Sequence, residues 1–294
     1  MNSRIHRHTF ILLLPWLLTF AVFWLYPLGY SLYLSLTKYS TLSNTAEFIG
    51  FENYTTLFSD KEVWYALRNT LIFTFGTVPV TTAFALTLAV VLHSKMVRFA
   101  GFFRAAYFMP SVTSLVVIAL IFTNLYAKDG YINLLLGMTG IPHPERGWLL
   151  EPSTALASVM AMDVWISAGY YMVLFLAGLQ TIPTDLYEAA RLAGASVWQQ
   201  FWRITLPLLR PTMTFVVVIN TIKSFQVFVE MYVMTKGGPT PGDTTTLVYH
   251  VFVNAFERSD MMGYASALAY GIFILLVVLS LMQMKLVGER KTRR

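Results

Sequence analysis

The chain has 294 residues, 56% of them hydrophobic and only 12% charged, about half the charged share of an ordinary soluble domain. That balance excludes a disordered chain, a coiled coil or a nucleic-acid tail, each of which needs abundant charge or low hydrophobicity. There is no cysteine, so disulfides and thiol chemistry are out. The five scattered histidines (His6, His8, His93, His143 and His250) have no metal-ligand spacing.

Reading from one formal charge to the next gives six long apolar stretches. Residues 9–37, 69–92, 105–127 and 261–284 carry no formal charge, 152–184 carries only Asp163, and 211–235 carries Lys223 and Glu230. About 20 apolar residues cross a bilayer as a helix, and in lipid only a helix satisfies its own backbone over such a stretch. These runs predict an all-α polytopic membrane protein. Its six transmembrane helices fall at about 9–36, 69–92, 104–126, 154–179, 211–234 and 262–285, in one membrane domain over 1–294. The first run has the basic start of a signal peptide (Arg4, Arg7). It is too long for one, it carries Trp16, Phe23, Trp24 and Tyr26, and it lacks a small-residue cleavage site, so it reads as a retained helix.

Charge between the spans sets the orientation. The leader, the 93–104 and 180–211 loops and the C-terminal tail hold 13 Lys/Arg against 3 acids, whereas the other three loops hold 7 against 10. By the positive-inside rule both termini are cytoplasmic. The net charge of +6 is thereby a topology signal, and no basic patch is left for nucleic acid.

In the 180–211 loop, Leu186, Ala190, Ala193, Val197, Phe201 and Ile204 recur at helical spacing. Gly194 is placed to turn the chain, and Pro207 and Pro211 to end the second helix and lead into the fifth span. Two readings fit the stripe: a helix lying on the bilayer surface, with Trp198 and Trp202 at the interface, or a knob docked into a partner.

The loop also carries a resemblance. Glu188-Ala189-Ala190, three residues, Gly194, nine residues, then Ile204-Thr205-Leu206-Pro207 resembles the EAA loop of permease subunits of bacterial binding-protein-dependent ABC importers. The likeness extends to Tyr26-Pro27, Phe51-Glu52-Asn53-Tyr54, Asn69-Thr70-Leu71, Arg104 to Pro110, Leu176 to Gln180, Met234 to Pro239 and Gly263 to Ala267. These segments are similar to the maltose/lactose-type carbohydrate branch. The chain departs from the pattern in having Ala193 where many members have Asp before the glycine, so no role of that Asp carries over.

The resemblance implies a type I ABC importer permease fold (MetI-like). It implies a coupling loop at 181–210, with Glu188, Ala189, Ala190, Gly194, Ile204, Leu206 and Pro207 seating it in an ATPase and Glu188 facing a basic residue there. It also implies a second homologous permease forming a heterodimer, two ATPase subunits and a periplasmic or lipid-anchored sugar-binding protein, all working against membrane lipid. The chain contains no Gly-Lys pair and hence no P-loop. It therefore needs no cofactor of its own, and ATP belongs to the partner ATPase.

Charges inside a span cost about 2.5–3.5 kcal/mol each on insertion scales, so Asp163, Lys223 and Glu230 require a reason. Asp163, Ser167 and Tyr170 share one helical face (i, i+4, i+7), and Asn220, Lys223 and Ser224 share another. Two readings stand for Asp163 and Lys223: an ion pair locking two helices, or a polar path whose hydroxyl, amide and aromatic groups suit a sugar. The resemblance places substrate contacts on these same two stretches. Glu230 reads as a snorkelling group or a gate, and the small residues Gly263 to Gly271 as helix packing. Three rival functions remain. The first is a permease for glycerol phosphate or a sugar acid, with Lys223 meeting the anion. The second is an ion-driven secondary transporter with Asp163 and Glu230 as carriers, against which the EAA loop argues. The third is a membrane enzyme, for which there is no nucleophile–base pair or catalytic constellation.

Overall fold

The computed structural model describes residues 12–40, 45–94, 97–240, 242–258 and 260–288. The basic leader, the first residues of the first span, Lys95 and the C-terminal basic tail lie outside the described residues. Among the described residues four helices are long and apolar enough to cross a membrane, and the number reaches six if each of two sharply bent helix pairs is one span. The chain divides into two compact units, one running through Val63 with His250–Ile274, the other Trp64–Tyr249 with the chain from Leu275.

In the first unit, helix α1 (Leu12–Ser35) is apolar throughout and widens into a π-helical stretch at Ala21–Leu25, just before Pro27. Proline lacks an N–H and its ring presses on the carbonyl four residues back, and a wide turn relieves that clash. A two-stranded hairpin, β1 (Thr37–Ser40) with β2 (Thr45–Phe48), follows with Thr37 opposite Phe48, and then the short helix α2 (Glu52–Ser59). The Phe51 to Tyr54 motif has a structural role here. The Asn53 amide donates to the carbonyls of Ser35 and Thr37 (2.9 and 3.0 Å), and Tyr54 Oη lies 2.8 Å from Ser35 Oγ, so the end of α1 is closed by side chains. Farther along, Glu62 accepts from Arg258 (3.2 Å) and lies 4.0 Å from Nδ1 of the buried His250.

The second unit is built on three long helices. Helix α3 (Lys61–His93) passes into it and spans about 50 Å at 1.5 Å per residue. It starts eight residues before the uncharged run, because Lys61, Glu62 and Arg68 stand in its outer turns. Its buried face is threonine-rich in the first half (Thr70, Thr74, Thr77, Thr81) and alanine-rich toward the C-terminus (Ala85, Ala89). Asn69 donates to the carbonyls of Gly242 and Thr245 (2.7 and 3.0 Å), and Thr70 Oγ1 accepts from Leu247 N (3.0 Å), so the Asn69-Thr70 pair ties down the 236–247 segment.

The third predicted span, 104–126, is two helices, α4 (Ala100–Val112) and α5 (Leu115–Leu125), set at 96°. Ser111 Oγ and Thr113 Oγ1 donate back to the carbonyls of Phe108 and Met109 (2.7 and 2.9 Å), and Pro110 withholds a donor, so side chains replace the helical ladder where the chain turns. Arg104 donates to the carbonyl of Leu92 (2.9 Å), placing a cation on the C-terminus of α3.

A short helix, α6 (Tyr131–Thr139), leads to α7 (Ala155–Gln180), the most buried helix of the molecule among those long enough to span. At Gly169 a side chain would overlap the Tyr107 backbone, so α4 packs on α7 main chain to main chain. After α8 (Thr184–Leu192) and α9 (Val197–Leu208), helix α10 (Arg210–Phe225) turns back at 66°. Pro207 does not end α9. The helix widens over Phe201–Thr205 ahead of it, as α1 does ahead of Pro27, and breaks only at Leu209, before Pro211. Beyond α10 the chain breaks at 226–228 and reaches α11 (Leu247–Phe252) and the last helix, α12 (Met262–Gly288). A buried core of Ala85, Ala89, Met172, Phe175, Leu209 and Val216 joins α3, α7 and α10, and the partly buried Tyr187 and Ile204 pack against it.

Candidate solute path and coupling loop

Two sites emerge on the same helices, one along their length and one in the loop that joins them. The first is a cavity of about 310 Å³ where the α4–α5 break faces α7 and α10. Its polar wall is Ser111, Thr113, Ser167, Tyr170 and Lys223, and its apolar wall includes Ile166 and Ile219. Lys223 Nζ donates to Asp163 Oδ1 (3.0 Å) and to Ser167 Oγ (2.6 Å), while Ser167 Oγ donates to Asp163 Oδ1 (3.2 Å). Asp163 is buried and Lys223 is 45% exposed, so the aspartate holds the lysine from behind while its stem and ammonium face the cavity. Tyr170 presents its ring to the same space.

The structure thus brings Asp163, Ser167, Tyr170 and Lys223 together and sets Asn220 and Ser224 on the adjoining face of α10. Ser224 Oγ lies 3.3 Å from Thr77 Oγ1 of α3, and Asn220 is fully buried with neither side-chain atom bonded within the protein. Ser111 and Thr113 were not among the residues read from the sequence. Their signal is the Pro-Ser-x-Thr-Ser run at 110–114, in which side chains able to bond their own backbone follow a proline. Glu230, just past the break after α10, is buried. Among the described residues no group of His, Asp and Glu is arranged to hold a metal ion.

The second site is the loop between α7 and α10. Helix α8 ends in a closed turn, with Gly194 N–H bonding the Arg191 carbonyl (3.0 Å) and Ala195 N–H the Ala190 carbonyl (2.9 Å). This is the Schellman pattern, which puts the residue after the helix in the left-handed region. Gly194, at φ +78°, supplies it. Helix α9 starts at once with a capping box: Gln199 N–H donates to Ser196 Oγ and Ser196 N–H to Gln199 Oε1. The two helices therefore form a self-closed hairpin, held to the core by Ile204 and by Tyr187, whose hydroxyl lies 2.9 Å from Thr205 Oγ1.

The outer face of this hairpin is apolar and open. Leu192 is 92% exposed and Val197 83%, with Trp198 and Trp202 beside them. Glu188 and Ala189 are exposed, Ala190 is half-buried, Leu206 is half-buried and Pro207 exposed.

Residues 84–294 match the family described as binding-protein-dependent transport system inner membrane component. The chain belongs to this family. It is 41% identical over 271 residues to the probable ABC transporter permease protein YurN of Bacillus subtilis, covering 91% of this chain and 92% of that one. With the lactose transport system permease protein LacF of Rhizobium radiobacter it shares 35% over 278 residues, 94% of this chain and 93% of the relative. Among solved structures, a chain of a bacterial alginate ABC transporter in complex with an alginate pentasaccharide-bound periplasmic protein superposes with a TM-score of 0.81 at 23% identity, covering 97% of this chain and 96% of that one. The fold is that of ABC importer permeases. This permease is an inner membrane component of a transport system that works with a binding protein.

Proposed function

We propose that this permease is the membrane subunit of an ATP-driven importer of a sugar or oligosaccharide, driven through residues 181–210 by a separate ATPase. The observation that carries the reading is the closed helical hairpin at Thr184–Leu208. It is capped on both sides of its single turn, rooted in the core that also holds α7 and α10, and apolar on its outer face. A stiff knob transmits a rigid-body movement, and the helices it would move are the two that line the cavity. Glu188 stands exposed beside the apolar face to pair with a base on the ATPase.

The chain is read as one non-catalytic membrane domain of six spans over 1–294, with both termini cytoplasmic. It pairs with a second homologous permease, two ATPases that hold the ATP, and an external sugar-binding protein. Relatives named for lactose and for arabinooligosaccharides support the carbohydrate class. The cavity chemistry agrees, because hydroxyls with a tyrosine ring suit the polar rim and apolar face of a sugar.

A sugar acid is the second reading, because Lys223 reaches the cavity. Asp163 at 3.0 Å already neutralises that lysine, which favours an uncharged solute. Reconstituted uptake decides both points. Glu188→Lys is expected to abolish ATP-coupled uptake and co-purification of the ATPase, and unchanged coupling would refute the docking. With Lys223→Ala, uptake of anionic solutes alone would fall if the sugar-acid reading is right.

A further inference from the structure

Helix α6 is amphipathic the wrong way round for water. Tyr131, Leu134, Leu135 and Met138 follow the i, i+3, i+4, i+7 spacing of a single face, and that face is the exposed one, at 69, 55, 62 and 76%. The polar residue Asn133 is the buried one. No formal charge occurs from Gly130 to Pro142, and the exposed Ile141 and Leu150 extend the patch. A helix bathed in water puts its polar stripe outward.

Its position is fixed. The Asn133 amide donates to the Lys128 carbonyl (3.0 Å) and Asn133 Oδ1 accepts from the Trp148 indole (2.7 Å). Trp148 N–H donates to the Tyr126 carbonyl (3.0 Å), and the Tyr126 hydroxyl donates to the Ser158 carbonyl (3.0 Å). These bonds tie α6 to the last turn of α5 and the first turn of α7, the level at which both helices leave the bilayer. The exposed apolar surface of α5 (Val116, Val117, Leu120, Ile121) lies immediately before it in the chain.

We propose that α6 lies in the surface of the bilayer on the side away from the coupling loop, with Tyr131, Leu134, Leu135 and Met138 buried at the headgroup–acyl boundary. Interfacial helices settle about 5–10 Å into that boundary. The occupant is lipid rather than another protein because the face continues the apolar exterior of α5. Apart from one tyrosine hydroxyl it also offers no charge or hydrogen-bonding side chain to orient a protein partner. A tyrosine suits that level, and the exposed pairs Lys128–Asp129 and Glu145–Arg146 bracket the patch with water-seeking groups. Such a float resists movement of α7 along the membrane normal, so force arriving through the coupling loop tilts α7 instead of sliding it.

The absence of native cysteine allows a direct test. Leu135→Cys and Met138→Cys, with Glu145→Cys as the water-facing control, are labelled with an environment-sensitive fluorophore on the assembled complex in nanodiscs. Complexes that elute as one species are measured, and Leu134→Cys replaces either variant that fails to assemble. Labels at 135 and 138 are expected to lose most of their emission to lipids brominated near the headgroup and to be untouched by aqueous iodide, with the reverse at 145. Iodide quenching at 135 and 138 would place the face in water and overturn the proposal. Shielding from both quenchers would mean that protein covers it, and would overturn the proposal equally.

Discussion

The cavity and the coupling hairpin are each built against the grain of their surroundings, in opposite senses. Around the cavity, charged and polar side chains sit inside a membrane helix packing, with Asp163 buried and bonded to Lys223 and Ser167. On the hairpin, leucine, valine and tryptophan stand on an open surface. Polar groups in the interior cost free energy unless paired, and contiguous apolar surface in water is unfavourable unless covered. At Asp163 Oδ1 that cost is met by Lys223 and Ser167 inside the chain, whereas Asn220 is buried without a partner. On the hairpin the chain leaves Leu192, Val197, Trp198 and Trp202 uncovered. The contrast separates charged groups paired within the chain from an apolar face that the chain leaves open.

The largest effect is expected from removing the internal partner at the cavity. Asp163→Ala leaves Lys223 unpaired, a change worth about 3–5 kcal/mol for a fully buried pair. Because Lys223 is half exposed, the loss should fall at or below the low end of that range. Thermal unfolding in detergent reads it, and Asp163→Leu combined with Lys223→Met should recover most of the stability. If the double variant is as unstable as the single one, the pair does not hold α7 to α10.

Next comes the backbone contact that sets the cavity wall. Gly169→Ala forces α4 away from α7 and should destabilise by about 1–3 kcal/mol, the usual range for overpacking. The same melting assay with an intact coupling hairpin would show the two regions to be separable, and an unchanged melt would contradict the close approach at Tyr107.

On the hairpin the expected pattern is reversed. Leu192→Asp should leave the melting temperature of the isolated permease unchanged and weaken ATPase capture at least tenfold, as loss of a buried apolar anchor does. Gly194→Ala should cost about 1 kcal/mol through the left-handed backbone alone, since no atom lies near the added methyl. A loss of melting temperature with Leu192→Asp would show that its side chain is packed within the chain, and the contrast would collapse.

The smallest effect belongs to the first unit and varies with pH. Burial holds the His250 imidazole below its ordinary value, against the opposing pull of Glu62 and Asp60; Arg258 adds to the lowering, and the Tyr264 ring packs edge-on. With the folded value depressed, the unfolded state binds the proton more readily. Stability is fully present above about pH 6.5 and declines as pH falls below it toward the lower folded value. His250→Phe should flatten that slope, and an unchanged slope would assign it to other groups.

Much of this was readable in the linear chain for a definite reason. A bilayer demands long uncharged helices and tolerates charge only where it is paired, so six apolar runs and the isolated Asp163 and Lys223 were conspicuous before any coordinates. The coupling loop was readable because its signals are local: an apolar stripe at helical spacing and a glycine placed to turn the chain, which adopts positive φ; the Ser196–Gln199 capping box, equally local, was not among them. The α4–α5 break was not. Pro110 followed by Ser and Thr is compatible with a kink or a full turn, and only packing against Gly169 chose the 96° bend that makes the cavity. Nor could the chain alone say which side of α10 faces the cavity. Asn220, Lys223 and Ser224 share one helical face, yet only Lys223 lines the cavity, while Ser224 meets Thr77 of α3 and Asn220 is buried between. The sequence by itself determined the class of protein, the number of apolar runs and the helical stripe with its turn at Gly194, because hydrophobic length and turn chemistry act over a few neighbouring residues. Tertiary structure decided which polar side chains meet and where the cavity opens, because those depend on helices brought together from 50 residues or more apart.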